Sequence, residues 1–276
     1  MRIDAHQHFW EPGRFPYPWM PPDPSPLRKA FLPEQLGEIL ARNRFDGSVT
    51  VQASTVDGEG DWLLALAAKH DFIRGVVAWV ELAAANLPRR LDELQRHAKF
   101  KGVRHPVHDE PDHRWLLSGG VIQGLRELAR RDITYDLLLR PQHLFVVSEL
   151  ASRIPKLRMV IDHIAKPPIV SGRLEGWAVD MERIAAIPQV FVKLSGMITE
   201  ADLQNWSADH LRPFVQHVLK LFGPDRLMFG SDWPACLLAG TWKEVLAAFT
   251  QAVGPLPPED RSRILGETAT RFYRLG

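Results

Sequence analysis

Residues 33–53 read PEQLGEILARNRFDGSVTVQA, a helical pattern that runs straight into an apolar, extended one. Across residues 33–44, Leu36, Ile39 and Leu40 share one face of a helix while Glu34, Glu38 and Arg42 lie elsewhere, as a helix coating a sheet requires. Pro33 stands at the helix start, where a missing N–H costs little. Residues 47–53 then form a nearly continuous apolar run, the signature of a parallel strand buried on both faces. The pattern repeats. Similar runs occupy residues 1–5, 73–81, 100–104, 133–139, 157–162, 190–194 and 226–230, making eight strands in all. Amphipathic segments such as 87–98, 121–131, 142–152, 209–221 and 242–252 lie between them, with Pro141 and Pro213 at or near helix starts. Eight such units share 276 residues at about 34 each, an ordinary length for a strand–helix–strand crossover. An open doubly wound sheet would be supported by a glycine-rich phosphate loop, and neither G-x-G-x-x-G nor G-x-x-x-x-G-K-[ST] occurs. The sequence predicts one α/β domain over residues 1–276, a (β/α)8 TIM barrel with long loops at its C-terminal face.

Composition narrows the function classes. Thirty-four Lys and Arg balance 33 Asp and Glu, so no basic field points to nucleic acid, and the nine tryptophans are not interleaved with basic runs. No apolar run reaches the roughly 18 residues of a membrane helix. The single cysteine, Cys236, fits a reducing compartment, and the first residues carry no apolar signal region. The expectation is a cytoplasmic globular protein, with monomer and homo-oligomer both open.

Three long loops follow strand C-termini, the face where barrel enzymes place their chemistry. Residues 11–31 carry seven prolines with Phe15, Tyr17 and Trp19, too stiff for a linker and suited to fold over the barrel mouth. Residues 105–120 hold His105, His108, His113 and Trp115, which lack a fixed ligand spacing and are expected to shape the pocket rather than bind metal. Residues 196–208 hold Met197 and Trp206.

The sharpest local signal is Asp4-Ala5-His6-Gln7-His8. Residues i and i+2 of a strand share a side, so His6 and His8 project together, placed to chelate a divalent ion or to bond one substrate oxygen. His163 ends the sixth strand, Asp232 the eighth, and barrel closure puts the eighth beside the first. Arg104 ends strand four, where a guanidinium could hold substrate or form a salt bridge beneath the loops. Lys193 interrupts an apolar run and needs a partner, either a substrate oxygen or an internal carboxylate. Gln52, Tyr135 and Asp136 are weaker candidates for substrate hydroxyls. Cys236 has no positioned base to make it a nucleophile, and no G-x-S-x-G elbow occurs.

Taken with Lys101-Gly102-Val103-Arg104-His105, Asp162-His163-Ile164-Ala165-Lys166-Pro167, Val192-Lys193-Leu194-Ser195-Gly196, Gly230-Ser231-Asp232-Trp233-Pro234 and the ending Glu267–Tyr273, this set resembles the amidohydrolase superfamily. The finer resemblance is to its sugar-lactonase branch, the L-fuconolactonases and L-rhamnonolactonases. Binuclear members of the superfamily carry a lysine or glutamate ligand on strand four and a histidine on strand five. Here Arg104 and the Tyr135-Asp136 region stand there, which argues against a binuclear site. The resemblance leaves one ion, zinc by expectation, held by some combination of His6, His8, His163 and Asp232, or no metal at all.

It further implies a hydrolase that opens an aldono-1,4- or 1,5-lactone. Asp232 would deprotonate the attacking water, and His6, His8 and His163 would face the carbonyl oxygen. Arg104, Lys193, Gln52 and Tyr135 would hold hydroxyls, with Trp10 and Trp233 offering flat faces to the ring. Two competing expectations are a zinc-dependent decarboxylase of the same superfamily and a binding protein that has lost catalysis.

Overall fold

The computed structural model describes residues 1–276. The eight apolar runs form eight short parallel strands: β1 (Ile3–Gln7), β2 (Gly47–Val51), β3 (Ile73–Ala78), β4 (Phe100–His105), β5 (Thr134–Leu137), β6 (Met159–Ile161), β7 (Val190–Leu194) and β8 (Leu227–Phe229). They pair in chain order from β1 to β8. The sheet closes just past the end of β8, where Gln7 pairs with Trp233 in parallel register. There the His8 amide donates to the Trp233 carbonyl at 2.7 Å, and the Asp232 amide to the His6 carbonyl at 2.8 Å. The seam of the barrel therefore runs through four of the predicted site residues, His6, His8, Asp232 and Trp233.

Eight helices coat the outside: α1 (Pro33–Arg42), α2 (Glu59–Lys69), α3 (Leu87–Gln95), α4 (Gly119–Arg130), α5 (Phe145–Arg153), α6 (Trp177–Ala185), α7 (Ala208–Phe222) and α8 (Trp242–Val253). Pro213 lies inside α7, five residues beyond its first, rather than at a start. Two short helices, α9 (Pro258–Ser262) and α10 (Thr268–Tyr273), end the chain. None is long and apolar enough to cross a membrane.

Two cores result. The larger lies between strands and helices. The smaller fills the N-terminal half of the barrel interior, where Ile3, Ala5, Val49, Val51, Val77, Val160 and Met228 meet Ala269, Phe272 and Tyr273 of α10. Above that plug the inward side chains turn polar. His6, Arg104, Asp136, Asp162 and Lys193 are all buried there, so the upper barrel is lined with charge.

Candidate active site

A β-bulge in β1 aims the two histidines. Asp4 pairs with Ser48 but Gln7 with Thr50, one residue more on β1 than on β2. Asp4 faces outward, accepting from the Trp242 indole at 2.8 Å and the Ser231 amide at 2.8 Å. Gln7 also faces outward, its amide donating to Ser48 Oγ and Thr50 Oγ1. The extra residue leaves His6 and His8 pointing into the barrel, their Nε2 atoms 3.2 Å apart. His8 Nδ1 donates to the Val51 carbonyl at 2.7 Å, since a carbonyl only accepts, so the ring turns its Nε2 to the centre.

Asp232 and His163 arrive on left-handed backbone, with φ of 57° and 54°. Asp232 Oδ1 lies 3.3 Å from His8 Nε2, 3.7 Å from His6 Nε2 and 4.0 Å from His163 Nε2. His163 Nδ1 is fixed by Ser195 Oγ at 2.9 Å. Only glycine fits beside that ring. A Cβ on Gly196 would fall 2.4 Å from His163 Nδ1, and the residue has a φ of +60°.

Beneath the centre lies a buried ion network. Lys193 Nζ stands 2.5 Å from Asp136 Oδ2 and 3.0 Å from Asp162 Oδ1. Arg104 Nη1 is 3.2 Å from Asp162 Oδ2, and its Nη2 donates to the Gln52 carbonyl at 2.5 Å. The Tyr273 hydroxyl rises from the plug to donate to Asp136 Oδ2 at 2.7 Å. His6 Nδ1 meets this network, 3.3 Å from Asp162 Oδ1 and 3.2 Å from Lys193 Nζ.

Charge follows from these contacts. Burial alone would raise the Asp232 carboxyl, but His163, the His8 hydrogen bond and Lys166 outweigh it and hold it below the usual carboxylate range. Asp162 is likewise held well down, burial being overcome by Lys193, His6 and Arg104. Burial pushes His6 and His163 well below an ordinary imidazole, with Asp162 and Asp232 respectively opposing. At neutral pH these two imidazoles are neutral and Asp232 is a carboxylate.

His6 Nε2, His8 Nε2 and Asp232 Oδ1 also form a donor set fit for a metal. Their separations of 3.2, 3.3 and 3.7 Å compare with the about 3.3–3.4 Å between tetrahedral ligands bound at about 2.0–2.1 Å to zinc. The group is compatible with a divalent ion. His6, Asp162 and His163 make a second cluster, but Asp162 there already bonds Arg104 and approaches Lys193.

The structure gathers His6, His8, His163 and Asp232 at one point, with Arg104 and Gln52 alongside. The Lys193 ammonium is wholly buried on internal carboxylates. Tyr135 is not brought to the mouth. Asp136 points inward to Lys193, so alternation along β5 turns Tyr135 outward into the strand–helix core. Trp10 and Trp233 are buried under the 11–31 loop. The Trp10 indole donates to the Leu27 and Lys29 carbonyls, and Trp233 packs edge-on against Phe9 and Phe31. His105 is buried against Trp115, with Glu110 on its Nε2, and serves to anchor its loop. Cys236 is buried, and its thiol is pushed well up by burial, unsuited to attack.

Sequence reasoning assigned no role to Asp162, Ser195 or Glu59, and offered Asp136 to substrate hydroxyls, whereas its carboxylate is taken up by Lys193. Glu59 is buried and accepts the Ala53 and Ser54 amides, fixing the end of β2 beside Gln52. Asp162 carried the same signal as Lys193, a charge inside an apolar run.

The sequence model of a family described as amidohydrolase matches residues 3–275. The chain is 38% identical to an L-fucono-1,5-lactonase of Burkholderia ambifaria, across 99% of this chain and 96% of that one. It is 35% identical to an L-fucono-1,5-lactonase of Burkholderia multivorans, across 100% and 96%. Among solved structures, an amidohydrolase from Burkholderia multivorans with bound zinc superposes over the whole of both chains with a TM-score of 0.94 at 34% identity.

Proposed function

The chain belongs to the amidohydrolase family, and from that premise we propose that it hydrolyses a sugar lactone, of the L-fucono-1,5-lactone kind, to the open-chain aldonic acid. The observation that carries this reading is the meeting of an ionised, buried Asp232 with three imidazoles at the seam of the barrel. Such a group can take a proton from water while neutral donors and dipoles face a carbonyl.

His6, His8 and Asp232 are the residues that would hold a divalent ion, which when bound would supply a Lewis acid for the lactone carbonyl. In the proposed reaction Asp232 takes a proton from water as the water oxygen bonds to the carbonyl carbon. The tetrahedral adduct collapses with cleavage of the ring carbon–oxygen bond, and Asp232 returns the proton to the departing ring oxygen. The new carboxylic acid releases one proton to solvent. His163, locked by Ser195 and Gly196, keeps a fixed position against Asp232 throughout. Arg104, anchored on Asp162 and the Gln52 carbonyl, contacts the ring hydroxyls from below. Lys193 is too enclosed to reach substrate and acts through His6.

The test is proton release, followed with a pH indicator, on L-fucono-, L-galactono- and L-rhamnono-lactones. Asp232→Asn is expected to lower kcat by about 10² to 10⁴. Full activity in a folded Asp232→Asn variant, or no hydrolysis by the wild type across the series, would overturn the reading. Repeating the series after chelation reports whether an ion is needed.

A further inference from the structure

Next to the centre the C-terminal face holds a cavity of about 350 Å³, in the size range of small-ligand sites. Two of its lining residues, Lys166 and Glu200, end the two segments that fix His163. One is the turn 163–166, where the Lys166 amide donates to the His163 carbonyl at 2.8 Å and the Trp177 indole donates to the Ile164 carbonyl at 2.8 Å. The other runs from Gly196 to Glu200, where the Thr199 hydroxyl donates to the Gly196 carbonyl at 2.9 Å. Lys166 and Glu200 meet across the gap at 2.5 Å, each partly exposed. Arg140, Gln142 and Glu175 complete the polar lining.

Resting on the lactone reading, we infer that this cavity is a subsite for the hydroxylated part of a neutral sugar ligand, with Lys166 and Glu200 as the residues that read it. Charge balance selects the ligand class. Two cations, Arg140 and Lys166, face two carboxylates, Glu175 and Glu200, so the formal charge of the lining cancels. An anion would have to displace Glu200 from Lys166, and a cation would have to displace Lys166 from Glu200. A hydroxyl donates and accepts at once, so it can bond to both members of the pair without separating the charges. Lys166 also joins the cavity to the His163 turn, its amide donating to the His163 carbonyl at 2.8 Å.

The test is calorimetric binding of L-fucitol, a neutral polyol that cannot be hydrolysed, alongside L-fuconate, its anionic counterpart. Wild-type protein is expected to bind L-fucitol saturably. Lys166→Gln and Glu200→Gln, both near in size to the originals, should each weaken binding about 10- to 100-fold, the loss of a hydrogen bond to a charged group. Both should also raise KM for the hydrolysed lactone more than they lower kcat. The inference is overturned if the wild type does not bind L-fucitol, or if both variants bind it as the wild type does. It is equally overturned if L-fuconate binds more tightly and Glu200→Gln strengthens that binding, the mark of an anion site. L-fucitol binding without lactone turnover would instead remove the proposed reaction and leave the subsite standing.

Discussion

Replacing Lys193 with Met should be among the most damaging single substitutions in the protein. The buried network holds two cations, Arg104 and Lys193, against two carboxylates, Asp136 and Asp162. All four are buried, and Lys193, Asp136 and Asp162 are fully enclosed. Removing the ammonium leaves two carboxylates against one guanidinium, which is paired with Asp162 and not with Asp136. Breaking a buried pair by deleting one partner costs about 3–5 kcal/mol, a large share of the about 5–15 kcal/mol that holds a domain folded. Asp136→Asn on top of Lys193→Met restores neutrality while keeping an oxygen for the Tyr273 hydroxyl, so the double variant should be the more stable of the two. The deficit also depends on pH. Without Lys193 the Asp136 carboxyl binds a proton more readily in the folded than in the unfolded state, so its contribution is best at low pH and is lost as pH rises through its folded value. The gap between wild type and Lys193→Met should therefore narrow from pH 8 toward pH 5. Urea unfolding at constant slope measures each quantity. A Lys193→Met cost below about 1 kcal/mol, or a double variant no more stable than the single, would refute the coupling.

Gly196→Ala should lose about 1–2 kcal/mol from its left-handed backbone alone. The added methyl should also push His163 off Ser195 and cut the lactone rate at least about tenfold, a loss of more than about 1.4 kcal/mol in the transition state; a variant with wild-type melting and rate would contradict the packing at that ring. For pH, burial holds the His163 imidazole well below its unfolded value of about 6.5, so the unfolded chain binds the extra proton. Its contribution is complete above about pH 6.5 and falls by about 1.4 kcal/mol per unit below it. The stability gap between metal-chelated wild type and His163→Gln should narrow at that rate as pH drops, and a constant gap between pH 6.5 and 5.5 would show that His163 is not buried neutral.

The barrel was legible because its units repeat, and eight buried parallel strands leave few other topologies. Strand limits were less so. The apolar run of β1 stops at Ala5, yet pairing continues to Gln7, because the bulge and the seam recruit polar residues that no apolarity count includes. Helix α2 is apolar nearly all round and so has little periodicity to read, whereas α6 shows Trp177, Met181 and Ile184 buried at helical spacing. Among the candidate site residues, the meeting of His6, His8, His163 and Asp232 was legible from their positions at or near strand ends. Tyr135 and Asp136 were harder. A parallel strand buried on both faces carries no inside–outside alternation, so nothing local says which neighbour points inward. The partner of a buried charge is likewise a tertiary fact. Lys193 plainly needed one, but Asp136 lies 57 positions away and the hydroxyl that completes the set lies 137 positions from Asp136.

What the site costs the fold can be read from its backbone. His163, Ile164, Ala165 and Lys166 are four consecutive non-glycine residues with positive φ, between 46° and 60°. At about 1–2 kcal/mol each, a left-handed turn of this length opposes folding by an amount comparable to the net stability of a domain. It persists because its surroundings leave no alternative. Ile164 and Ala165 are fully buried, the Trp177 indole holds the Ile164 carbonyl, and the His163 ring fills the space that a Cβ on Gly196 would need. The turn reverses the chain within one residue of β6, so His163 faces Asp232 while Lys166, three residues on, faces Glu200 across the cavity. A right-handed turn could not be accommodated without moving one of the two. The strain therefore lies where one short segment positions both His163 and Lys166, and relaxing the turn should disturb the surroundings of Asp232 and the cavity together.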